Sequence, residues 1–433
     1  MIRIHVLRWV ALAVALAFVA GCGDDNGDSN PAGASSLVVP GAYVFDSRFN
    51  DGESSVSYSG QVVRNLLLQD LKSLIGGLAK DGAGPITVQD LLDLYDYNDG
   101  LNLESRTTAG STPVAESYYS SISTGKNLVG KISGDPVIGY NQTADELMRE
   151  WFEIISENSQ DAGKLGTPAV YTTDEGVDLN QMVNKVLIGA VPYYQATGVY
   201  MNVLFDKDNG GPRKEGNAST AMEHAWDEAF GYFGAARDYG RYSDIQLAGS
   251  VSDFTFDSNS DGKIDFNSEY NFGLSRNAGK RDKGGTGVDF TGEIFTAFLT
   301  GRAHIANQSS QSDVAAQREA AANGMEKVIA ATVVHYVNDT LSDMSELGTA
   351  SENKVNLNKH WAEMKGFAVA LQYNPFRLIT DSQLRELHGI MGQAPAYDLP
   401  GTDGYETTRR NYGRAKVVLQ EAYGFSQDNM DNW

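Results

Sequence analysis

The run KVLIGAVPYY at residues 185–194 and the run KVIAATVVHY at 327–336 decide how this chain is read. They align without a gap over an apolar, helix-spaced pattern. Each is followed by a polar loop and then by a second matching segment, in which Trp226, Glu228, Gly231 and Tyr232 align with Trp361, Glu363, Gly366 and Phe367. Upstream, segments 146–152 and 293–299 occupy corresponding places. The order helix, long helix, W-x-E helix therefore occurs twice, which is the mark of a duplicated unit. In a helical bundle, sites are built from side chains on facing helices.

Helical spacing also fills 61–75, 143–156, 179–204, 219–234, 289–307, 313–341, 356–372, 380–391 and 406–422. Thr143 with Glu146 three residues on forms a capping-box signature at one of these starts. Strand-like alternation is rare. The expected class is all-α, a duplicated helical bundle with long loops. A helix and loop-rich region covers 37–142, the first repeat 143–249 and the second 288–375, with C-terminal helices over 376–433. Between the repeats, residues 250–287 are polar and rich in Gly and Asp, and read as an insertion.

Composition narrows the partners. The 433 residues carry 34 Lys+Arg against 56 Asp+Glu, a formal net charge of −22. That field argues against nucleic acid and anionic membrane surfaces, which need positive charge, and leaves cations as natural small partners. The single cysteine, Cys22, excludes an internal disulfide framework and a thiolate-ligated zinc site.

The N-terminus addresses the chain to a membrane. Arg3 and Arg8 precede an apolar run from Trp9 to Val19, which is shorter than a spanning helix and about the length of a signal segment. It ends in Val19-Ala20-Gly21-Cys22, similar to a bacterial lipobox, so residues 1–21 are expected to be a signal peptide and Cys22 the lipidated first residue. An uncleaved anchor, or an ordinary signal peptide with a chance Cys, is the alternative. Residues 22–36 read as a flexible Gly/Ser-rich tether. By analogy with lipoprotein sorting, Gly23 favours the outer membrane, with the domain facing either the periplasm or the surface.

Two motifs could hold a metal. In MEHAWDEAFG at 222–231, His224 precedes Asp227 by three residues and Glu228 by four, so all three can share a helix face. In HWAE, His360 and Glu363 are again three apart. Imidazole and carboxylate at that spacing suit iron or another transition metal in a bundle. The competing reading is a pair of helix-capping or interhelical salt bridges, with Trp226 and Trp361 as core anchors. His304, His335 and His388 lie singly in helices, and packing is the default for each.

The insertion carries a third motif. Asp257-Ser-Asn259-Ser-Asp261-Gly262-Lys263-Ile264-Asp265 matches the front of an EF-hand calcium loop, with Gly262 at the sharp turn and Lys263 offering its backbone carbonyl. Position twelve is Ser268, and Glu269 stands one place late as the candidate bidentate ligand. Bound calcium would stiffen the insertion. A solvated Asp/Asn turn is the alternative.

These features together resemble an uncharacterised family of bacterial envelope lipoproteins allied to the imelysin-like proteins. The likeness runs through the lipobox, the helical duplication, YSGQ at 58–61, WDEAFGYFG at 226–234, DGKID at 261–265 and HWAEMKG at 360–366. It covers about residues 40–430. Imelysin-like proteins are two-bundle helical proteins with a G-x-H-x-x-E motif, linked to iron uptake and once classed as metallopeptidases. His360 and Glu363 match the H-x-x-E element, but Asn358 stands where the Gly should be, and His224 to Asp227 replaces Glu by Asp.

The resemblance implies a non-catalytic, lipid-anchored metal-binding protein of the envelope serving iron acquisition, with His360, Glu363, His224, Asp227 and Glu228 as its polar centre. One rival is a calcium-stabilised adhesion or scaffold lipoprotein with envelope proteins as partners. Another is a metal-dependent envelope peptidase. Against the second, the chain has no H-E-x-x-H, G-x-S-x-G or G-x-x-x-x-G-K-[ST].

Overall fold

Thr143 opens a helix as its capping signature predicts. In the computed structural model, which describes residues 37–433, its hydroxyl accepts from the Glu146 amide, and Glu146 Oε2 accepts from the Thr143 amide at 2.8 Å. Two orphan first-turn donors are thus satisfied reciprocally. The same device opens helices at Thr87, Thr220, Ser243 and Thr380.

In chain order the α-helices are α1 (Ser59–Gly77), α2 (Val88–Tyr95), α3 (Tyr119–Ile122), α4 (Ala144–Ser159), α5 (Leu179–Ile188), α6 (Ala221–Phe233), α7 (Asp244–Ala248), α8 (Gly273–Gly284), α9 (Phe290–Ala306), α10 (Gln311–Ser345), α11 (Lys354–Ala370), α12 (Asp381–Met391), α13 (Asp403–Tyr423) and α14 (Gln427–Asn432). The fold is all-helical, with only isolated bridges and no strand among the described residues. No described helix is long and apolar enough to cross a membrane. The signal segment, the tether and Cys22 lie outside the described residues.

The 35-residue α10 packs along α9, α11 and α13, and α5 lies against α11. Trp226 on α6 and Trp361 on α11 are fully buried. Each gives its indole N–H to a carbonyl elsewhere, of Phe298 at 2.9 Å and of Met391 at 3.1 Å respectively. Both indoles are therefore buried with their polar edge paired.

Two local features shape the centre. Past α5 the chain continues as a π-helix over Gly189–Met201 with Pro192 inside it. Proline has no N–H to give, and in an α-helix its ring would strike the carbonyl of Ile188; the wider turn relieves that clash. The α5–α11 seam is closed by two glycines. A Cβ on Gly189 would lie 2.6 Å from Ala370 Cα, and one on Gly366 would lie 2.6 Å from Lys185 Cβ. That close approach brings Lys185 to Glu363.

The region 250–287 is more ordered than its polar composition predicts. Residues 273–284 form α8, whose glycines and charges hide the helical period; Gly279 lets it press on Leu247, where a Cβ would come within 2.5 Å. Ahead of it, Phe254, Phe266, Tyr270 and Phe272 pack edge-on and tilted into a small aromatic core. The segment buries its own apolar rings and directs Arg276, Lys280 and Arg281 inward.

Candidate functional site

On α6 the three motif residues part company. Asp227 is fully buried. Its Oδ1 accepts from Tyr43 Oη and from Arg302 Nε, both at 2.9 Å, and its Oδ2 accepts from the Ser57 amide at 3.3 Å. Arg302, also without exposure, donates from Nη1 to Glu223 Oε1 at 3.1 Å and from Nη2 to Ser55 Oγ at 2.6 Å. Burial pushes the Asp227 carboxyl up to about 6 even with Arg302 opposing it. Asp227 is thus committed to a closed ion-pair network.

His224 turns the other way. Its Nε2 lies 3.5 Å from Glu228 Oε1, which also accepts from Gln61 Nε2 at 2.9 Å. Burial lowers the His224 imidazole below its ordinary value. The pair His224 and Glu228 shares no hydrogen bond or ion pair with Asp227, or with His360 and Glu363.

On α11, His360 and Glu363 also take different partners. Residues three apart on a helix are about 60° apart around its axis, enough for each to meet a different neighbour. Glu363 is 4% exposed and lies 3.2 Å from Lys185 Nζ through Oε1, while its Oε2 has no partner. Burial would raise its carboxyl, but the charges of Lys185 and Lys72 outweigh that and hold it low.

His360 faces α10. Its Nδ1 is 2.7 Å from Asp343 Oδ2, and its Nε2 lies 3.8 Å from Asp339 Oδ2; His335 Nε2 is 3.3 Å from that same oxygen. His335, Asp339 and Asp343 follow one another at intervals of four, so α10 presents them in a row along one face. Tyr336 stacks near His360 with ring centroids 6.0 Å apart. Burial, then the charge of Arg281, pushes the His335 imidazole down to about 3, so it stays neutral. Burial also acts to lower His360, but the bond and charge of Asp343 overcome it and hold the imidazolium above its usual range.

An Asp343→Asn substitution is therefore expected to drop the His360 titration below its present position and to leave His335 neutral throughout. Proton NMR of the imidazole resonances across pH 4–9 measures both; an unmoved His360 would mean that Asp343 does not control it.

None of the three α10 residues follows from local motif spacing alone. The signal was the i, i+4, i+8 arrangement of one histidine and two aspartates, together with His335 lying 25 residues before His360 across a helical hairpin. His335, expected to be a packing residue, instead has its ring nitrogen on a carboxylate. As the side chains stand, no group of three or more His, Cys, Asp or Glu among the described residues is arranged to hold a metal ion.

The calcium-like loop is closed by its late glutamate. Gly262 has φ +83° and Ser260 φ +61°, the left-handed turns that reverse the chain. Asp257 Oδ2 accepts from the Gly262 amide at 2.9 Å, Asn259 Oδ1 from the Asp261 amide at 2.9 Å, and Asp261 Oδ1 from the Lys263 amide at 2.9 Å. Glu269, 1% exposed, reaches back to both ends: Oε1 accepts from the Ser258 amide at 2.8 Å and Oε2 from the Asp265 amide at 2.9 Å. Asp257, Asn259, Asp261, Lys263, Asp265 and Glu269 are thus gathered in one turn. Ile264 anchors it by pairing with residues 113–115, its amide giving to Pro113 O at 2.9 Å.

A family model described as Domain of unknown function (DUF4856) matches residues 40–377, most of the chain. No curated protein and no solved structure matches it.

Proposed function

We propose that this chain, which belongs to the DUF4856 family, is a non-catalytic metal-binding protein of the bacterial cell envelope, imelysin-like in kind and serving iron acquisition. In this reading Cys22 carries the lipid that tethers it, at the outer membrane. One observation carries the metal assignment: the Nε2 atoms of His335 and His360 flank a single Asp339 oxygen at 3.3 and 3.8 Å, with Asp343 behind His360 at 2.7 Å.

The donor types suit such an ion, and side-chain rotations about Asp339 would bring them onto it. Two ligands each about 2.1 Å from a tetrahedral metal stand roughly 3.4 Å apart, close to the 3.3 Å between His335 and Asp339 and a little less than the 3.8 Å between His360 and Asp339. A carboxylate on the far nitrogen of a ligating histidine fixes its tautomer and raises its basicity, and Asp343 stands there. Imidazole with carboxylate suits zinc, iron and other transition ions. His335, Asp339 and His360 are the proposed ligands and Asp343 their support. Glu363, His224, Asp227 and Glu228 are left out, because each already has another partner.

A second ion belongs to the insertion. Glu269 folds back over the loop, its carboxylate accepting from the Ser258 and Asp265 amides at the loop's two ends. That arrangement favours calcium as a structural ion, which would also serve a scaffold role with envelope proteins as partners.

Inductively coupled plasma mass spectrometry on chain purified without chelator from iron-replete cells tests both assignments. The expected result is near one equivalent of a transition metal, lost in His360→Ala and in Asp339→Asn but kept in Asp261→Ala, with calcium lost only in the last. Absence of any transition metal, with unchanged metal affinity in His360→Ala, would sink the iron reading; calcium alone would leave the scaffold.

A further inference from the structure

Between α1, α5 and α8 lies a cavity of about 220 Å³, and every charged side chain lining it is cationic: Lys72, Lys185, Arg276 and Lys280. Asn65, Gln69, Asn184 and Asn277 add neutral amides to its wall. This is unexpected in a chain of net charge −22. A buried charge is tolerated when it is paired, and here the pairing is short. Lys185 has Glu363 at 3.2 Å and Asn184 Oδ1 at 3.0 Å. Arg276 is fixed by the carbonyls of Leu247 and Gly249 and lies 3.5 Å over the Phe254 ring, but it meets no carboxylate. Among the described residues, Lys72 and Lys280 have neither a carboxylate partner nor an acceptor within hydrogen-bond distance. Glu363, paired with Lys185, and the buried Asp178, whose carboxyl feels the charge of Lys72, are the acids set against these four cations.

The lysines register that imbalance. The charge of Lys185, followed by burial, drives the Lys72 ammonium well below its ordinary value, and burial with the charge of Arg276 pulls Lys280 down to about 8. Mutual repulsion between crowded, half-buried cations is relieved by a bound anion, which keeps them all protonated. The volume holds several waters, room for a compact oxyanion and its first waters. Lysine ammoniums with asparagine amides supply only donors toward such a guest from their charged and N–H ends.

We propose that this cavity is a binding site for a small, multiply charged oxyanion of phosphate size, either free phosphate or the phosphate end of a larger molecule. Three uncompensated cations select a dianion over chloride or acetate. The flexible ammonium groups of Lys72 and Lys280 close on the guest, while Arg276, held by its carbonyls and by Phe254, sets the wall against which it rests. The site shares no residue with the His335–Asp339–His360 group, so it stands or falls apart from the metal reading.

The test is isothermal titration calorimetry, with thermal unfolding in parallel, on the detergent-solubilised full chain stripped of metal and then exchanged out of chelator. Inorganic phosphate and glycerol 3-phosphate are each titrated with ionic strength held constant by sodium chloride. Saturable binding of phosphate at one equivalent, with a rise in the unfolding midpoint that chloride does not reproduce, is expected. Lys72→Met and Lys280→Met should each weaken binding at least tenfold. They should also raise the midpoint of the phosphate-free protein, since each removes a half-buried cation with no acid paired to it. Asn277→Asp, which delivers an acid to the wall, should abolish binding while circular dichroism stays unchanged. Glycerol 3-phosphate binding as tightly as phosphate would make an ester the guest; rejection of it would make the guest free phosphate. Phosphate acting no differently from chloride, or binding Lys72→Met and Asn277→Asp as tightly as the parent, overturns the proposal.

Discussion

Arg302→Met is expected to destabilise the protein by roughly 3–5 kcal/mol, the cost of leaving a buried charge without its partner. That is a large part of the 5–15 kcal/mol typical of a native protein. Arg302 has no exposure and closes a network that no other group can complete. Its guanidinium binds Asp227 at 2.9 Å, Glu223 at 3.1 Å and Ser55 at 2.6 Å, and lies over the Phe45 ring at 4.9 Å. Without it, Asp227 keeps only Tyr43 and the Ser57 amide, and Glu223 keeps Arg48 at 3.3 Å and the capping contacts of Thr220.

The defect has a pH signature. Asp227 titrates near 6 when folded and near 3.8 otherwise. A carboxyl raised in this way favours the folded state most below its unfolded value, and that contribution is lost as pH rises through about 6. Removing Arg302 takes away the cation that opposes the shift, so the variant should suffer most at pH 8 and recover part of its loss by pH 4.5. Urea unfolding followed by circular dichroism at both pH values measures this. A loss below about 1 kcal/mol at pH 8 would mean that water reaches the carboxylates. Adding Asp227→Asn to Arg302→Met should restore part of the difference, because the two residues are directly coupled.

How much could be read beforehand varies with the kind of interaction. Thr143 with Glu146, and the long apolar runs that became α10 and α11, are local patterns, and local patterns survive folding. The segment α8 was hidden because Gly273, Gly279 and Gly284 weaken the helical signal; only contact with Leu247 shows why a helix forms there. The π-turn around Pro192 is legible as a breaker, yet its outcome depends on how closely α11 approaches. The site was read from spacing within one helix, which put His360 with Glu363 and His224 with Asp227. Their partners come from other helices. Which neighbour a side chain meets depends on crossings that no local spacing encodes: Asp343 and Asp339 for His360, Lys185 for Glu363, Arg302 for Asp227. Glu269 is an intermediate case, since its offset from the calcium-loop pattern was visible but its fold-back onto Ser258 and Asp265 was not.

Glu363→Leu should be the second severe lesion, again roughly 3–5 kcal/mol, and for the opposite reason. It removes the acid from a cluster of cations and leaves Lys185, 6% exposed, without its ion pair beside Lys72 and Lys280. The pH dependence therefore reverses that of Arg302→Met. A lysine whose folded value is depressed, as Lys280 is to about 8 from 10.5, contributes stability above its unfolded value and loses it as pH falls through the folded one. Stripping away Glu363 depresses these ammoniums further, so the variant should be weakest near pH 7 and should gain on the parent as pH rises toward 10. Urea midpoints at pH 7 and 10 would reveal it. If the midpoint at pH 7 is unchanged, Glu363 does not compensate the cluster and the lysines must already be neutral there. Saturating phosphate adds a sharper distinction. An anion in the cavity replaces the lost carboxylate, so phosphate should raise the Glu363→Leu midpoint more than the parent's. Equal shifts would place the anion beyond the reach of Lys185, and the geometry of the α5–α11 seam, where Gly366 presses on that side chain, argues for the larger one.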